Sequence, residues 1–120
     1  FTIGDDSIKG HIFCHYFNEI FGDEIKGSYL EIEDILEMAQ EKYHVFHIIT
    51  KPLKKEVVDK WLDLLPNSTA IVNEKNVANL YMVIISIMQL VNGQDRQEIL
   101  NQWPAIVRNG IADALEHIKV

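Results

Sequence analysis

The sequence predicts an α/β fold, a parallel sheet of about three short strands threaded between helices. Three observations predict it. Short β-branched or aromatic runs stand near residues 1–4, 45–50 and 69–72. Longer segments with apolar residues three and four apart lie between and after them. The alternation of the two is the pattern of βαβ units, whose crossovers are right-handed.

The elements follow in order. Phe1-Thr2-Ile3 is apolar and partly β-branched and ends at Gly4-Asp5-Asp6-Ser7, a strand and its turn. Ile8 to Phe21 places Ile12, Phe13, Tyr16, Phe17, Ile20 and Phe21 at helical spacing, and Gly22 suits a helix stop. Leu30 to Tyr43 predicts a second helix with Ile32, Ile35, Leu36 and Ala39 on one face. Its N-cap candidate is Ser28, three residues before Glu31 as in a capping box. The acidic run Glu31 to Glu41 reads as the solvated face of that helix.

Val45-Phe46-His47-Ile48-Ile49-Thr50 is the clearest strand. Its density of apolar residues predicts burial on both faces, as in a parallel sheet. An amphipathic helix is expected from Lys54 to Leu65, halted by Pro66, and a third strand at Thr69-Ala70-Ile71-Val72. Asn73 to Asn76 supplies turn and capping residues. Val77 to Val91 predicts a helix buried around much of its circumference. A last helical segment starts at Asp95 and is broken or kinked at Pro104, which lacks an amide hydrogen.

A length of 120 residues fits one domain, read as a part spanning 1–93 and a C-terminal helical extension, 94–120. The net charge of −7 argues against a nucleic-acid binder, which needs positive charge to meet phosphates, and against attachment to anionic lipid. No apolar run is long enough to cross a bilayer convincingly. The single cysteine, Cys14, rules out an intrachain disulfide and is compatible with the cytoplasm. The start at Phe1 points to a cut point inside a larger protein or a processed product.

The run Phe1 to Asp6, then Glu33-Asp34-Ile35-Leu36-Glu37-Met38-Ala39-Gln40-Glu41-Lys42-Tyr43-His44-Val45-Phe46, then Thr69-Ala70-Ile71-Val72 before a long apolar helix, resembles the C-terminal half of a von Willebrand factor type A-like domain. The likeness is to uncharacterised bacterial members of that group and covers about Phe1 to Gly93. It implies half of a doubly wound, Rossmann-like fold and a non-enzymatic domain that binds a protein partner. It also implies a divalent cation at the C-terminal edge of the sheet. The family supplies that cation with an Asp-x-Ser-x-Ser motif, a later Thr and a later strand-end Asp. Only the last has a match, at Asp5 with Asp6 beside it. Asp5-Asp6-Ser7-Ile8-Lys9 superficially resembles the first motif, but Lys9 stands where the second serine belongs. With one ligand group of three, the site is degenerate or incomplete, and Mg²⁺ is expected in a full-length parent rather than in this chain.

Read by their chemistry alone, Asp5 and Asp6 are either oxygen ligands for a hard cation at a sheet edge or acids favouring the N-terminus of a following helix. A receiver- or flavodoxin-like domain is the alternative function. It would use them as an acidic Mg²⁺-binding pair, with Thr50-Lys51 as a faint echo of the lysine such a site needs. His11 and His15 have the i, i+4 spacing of half a zinc site, with Cys14 nearby. No third ligand is fixed, and a His-Glu-x-x-His glutamate is missing. His47 is expected to pack within its strand, and Trp61 and Trp103 to serve a core or an interface. A three-strand sheet leaves an open edge. That edge, or the apolar stripe of the C-terminal helix, is expected to support a homodimer.

Overall fold

The computed structural model describes residues 1–6, 11–13, 18–19, 22, 27, 29–52 and 54–120, with the side chains at 11–13 and 29 left undescribed. The chain divides into two compact units, Phe1–Asp6 with Phe46–Val120, and Ser7–Val45.

The first unit is built on a parallel sheet. Its strands are β1 (Thr2–Gly4), β4 (His47–Thr50) and β5 (Thr69–Val72), in the order β1-β4-β5. Thr2 pairs with His47 and His47 with Thr69; Ile3 pairs with Ile48 and Ile48 with Ala70. This is the expected α/β class with its three parallel strands. Because side chains alternate across a strand, the register sorts them onto two faces. Phe46, Ile48, Ala70 and Val72 join Met82, Val83, Ile87, Ile111, Ala114, Leu115 and Ile118 in one cluster. These residues come from helices α3 (Leu80–Val91) and α5 (Ala105–Ala114) and the tail after α5. The opposite face carries His47, Ile49 and Thr69. Helix α2 (Lys55–Leu64) lies on it through Trp61, and Thr69 Oγ1 donates to the Leu65 carbonyl at 2.8 Å. The central strand β4 is therefore buried on both faces.

Residues 94–120 belong to this core in cis. Asp95 caps helix α4 (Arg96–Asn101) by accepting from the Glu98 amide at 3.1 Å. Pro104 is the N-cap of α5, so the proline separates two helices. Arg96 donates to the carbonyls of Leu115 and Ile118, placing a cation at the C-terminal end of α5 where the helix dipole favours it. Ile118 bridges to Ser68, and the Lys119 amide donates to the Asn67 carbonyl at 3.0 Å. Of the apolar stripe offered by the sequence as a dimer contact, Ile111, Leu115 and Ile118 pack into the chain's own core, whereas Ile106 is exposed.

Two boundaries differ from expectation. A 3-10 helix, Glu74–Asn79, occupies the segment between β5 and α3, so α3 starts at Leu80 rather than Val77. Helix α3 is also less enclosed than expected: Tyr81, Ile85 and Met88 are exposed on the side away from the core.

In the second unit, strands β2 (His11–Phe13) and β3 (Tyr29–Glu31) pair antiparallel, and helix α1 (Ile32–Gln40) follows directly. The expectation of a helix from Ile8 to Phe21 fails at His11–Phe13. A run of His-Ile-Phe suits a strand as well as a helix, and cross-strand pairing with Tyr29–Glu31 selects the strand. Leu30 and Glu31 likewise belong to β3, so α1 begins two residues later than expected. Its N-cap is Glu31, which makes no side-chain cap bond. Ser28, the expected cap, lies outside the described residues.

Candidate functional site

In a parallel sheet all strands end at the same edge. At this edge β1 runs into Asp5-Asp6, β4 into Lys51-Pro52 and β5 into Asn73-Glu74. The last pairs of the ladders are Gly4 with Ile49 and Thr50 with Val72. Asp5 therefore sits one residue past the end of the β1–β4 ladder, at the edge where open α/β sheets bind ligands. Asp5 and Asp6 are both exposed, and among the described residues neither carboxylate has a hydrogen-bond or ion-pair partner.

A side-chain circuit holds this turn. Thr2 Oγ1 lies 2.7 Å from His47 Nδ1. The His47 imidazole stacks on the Trp61 indole, with ring centroids 3.5 Å apart and planes inclined by 11°. Trp61 Nε1 then donates to the Asp6 carbonyl at 3.1 Å. Thr2 opens β1 and Asp6 lies two residues past its end, so both ends of the edge strand are tied to β4 and α2 through two rings. His47 is only 4% exposed. Burial pushes its pKa down to about 4, so the ring is neutral at pH 7. Its Nε2 is buried without a hydrogen-bond partner among the described residues. His47 is thus the packed strand residue expected. The circuit it forms was not legible, because it joins residues far apart in sequence.

Lys51 adopts a positive φ of 53°, unusual for a side chain with a Cβ. Its ammonium lies 3.9 Å from Glu74 at the end of β5. Both side chains are more than half exposed, so the pair is a loose surface contact.

The other metal candidates fall partly outside the described residues. His11 lies on strand β2 rather than on the expected helix. His15 and Cys14 lie outside the described residues. Among the described residues no three His, Cys, Asp or Glu side chains are grouped to hold a metal ion. Asp5 and Asp6 fit a hard cation in donor chemistry but supply too few ligands to enclose one. Trp103 donates to Ser86 Oγ at 2.9 Å and meets Tyr81 edge-on, a structural role. Among the described residues no helix is long and apolar enough to cross a membrane. Comparison with family models, with curated proteins and with solved structures returns no match for this chain.

Proposed function

We propose that the chain is a non-enzymatic protein-interaction domain of von Willebrand type A-like design, working in the cytoplasm through the C-terminal edge of its sheet. The observation that carries this reading is the placement of Asp5-Asp6. They are exposed, unpartnered carboxylates at the end of a parallel edge strand, fixed from below by the Thr2–His47–Trp61 circuit. That is where a family member presents its strand-end aspartate. A degenerate site of this kind contributes one or two ligands to Mg²⁺, and a partner's carboxylate or further residues of a parent protein complete the shell.

Self-association belongs to the same reading. The Thr2 amide donates to the Phe46 carbonyl, so the Ile3 amide and carbonyl point to the open side of β1. Ile3 is 49% exposed and Phe1 51%. Neither proline nor lysine blunts the strand, and such an edge invites a second one. Most of the C-terminal stripe is used in cis, and the edge of β1 is the surface offered to a second copy.

The direct test is calorimetric titration of Mg²⁺ or Mn²⁺ into the protein and into Asp5→Ala. Weak binding lost in the variant supports the metal part. Absence of binding, or binding unchanged in Asp5→Ala, removes it.

A further inference from the structure

We draw no further inference here: the strongest candidate, the exposed apolar face of α3 carrying Tyr81, Ile85 and Met88, stands alone, because nothing in the structure shows what covers it.

Discussion

The imidazole of His47 and the indole of Trp61 lie face to face, 3.5 Å between centroids, with the Thr2 hydroxyl at the imidazole Nδ1 and the Asp6 carbonyl beyond the indole N–H. The arrangement makes an edge strand of three residues dependent on two side chains from elsewhere in the chain. It also makes the charge state of one buried ring a determinant of stability.

The pH dependence has a definite sign. The folded His47 pKa is depressed to about 4 against an ordinary value of 6.5. Between those values the unfolded chain binds the proton and the folded chain does not, so stability falls as pH falls through this window. The loss at pH 4 is of order 3 kcal/mol, taking ~1.4 kcal/mol for each pH unit. Carboxylates titrate nearby, so the comparison is with His47→Phe, which keeps a stacking ring and removes the proton site. Urea unfolding from pH 4 to 7 should show a shallower slope in the variant. Near pH 7 the variant should lie within about 1 kcal/mol of wild type, because losing the Thr2 bond is offset by removing an unsatisfied buried nitrogen.

Trp61→Phe retains an aromatic face for His47 but loses the donor to the Asp6 carbonyl. It should cost about 1–2 kcal/mol in denaturant unfolding. Amide exchange at Asp5 and Asp6 should rise more than at Ile48 in the central strand. Uniform acceleration across the sheet would mean that the bond does not position the turn.

Arg96→Ala removes the charged donors to the carbonyls of Leu115 and Ile118. Hydrogen bonds from a charged group contribute about 1.5–3 kcal/mol each in favourable cases, so a loss near 2 kcal/mol is expected. Arg96→Lys should recover less than half of it, because an ammonium does not reproduce the two-carbonyl fork. Thermal unfolding of the three proteins measures both quantities.

These contacts mark where sequence reading succeeds and where it stops. The strands at Phe1-Thr2-Ile3, His47–Thr50 and Thr69–Val72 were legible because β-branched runs bounded by turns depend on local chemistry. So was the double burial of β4. The helix expected over His11–Phe13 failed because three residues fit either period, and a partner strand some twenty residues away decides between them. Asp5 and Asp6 were visible from their position after a strand. The Thr2–His47–Trp61–Asp6 circuit was not, since its hydrogen bonds join residues as much as 55 positions apart. Nor was the approach of Asn76 to Gly110 on α5: a glycine inside a helix is a readable oddity, but the side chain it makes room for is set by tertiary packing.

That side chain gives a further prediction. Gly110→Ala gains helix propensity of about 1 kcal/mol but presses on Asn76, so the single variant should change stability by well under that amount. In an Asn76→Ala background the same substitution should deliver the full gain. The difference between the two, measured by chemical unfolding as a double-mutant cycle, reports the contact. Equal effects in both backgrounds would show that Asn76 yields freely.

The account rests most heavily on the strand-end carboxylates as the working edge of the domain. Paramagnetic Mn²⁺ added to the labelled chain tests this directly through amide line broadening. The predicted result is broadening that begins at Gly4, Asp5 and Asp6, reaches Thr50 and Lys51 next, and disappears in Asp5→Ala. Broadening centred elsewhere, or unchanged in Asp5→Ala, would contradict it.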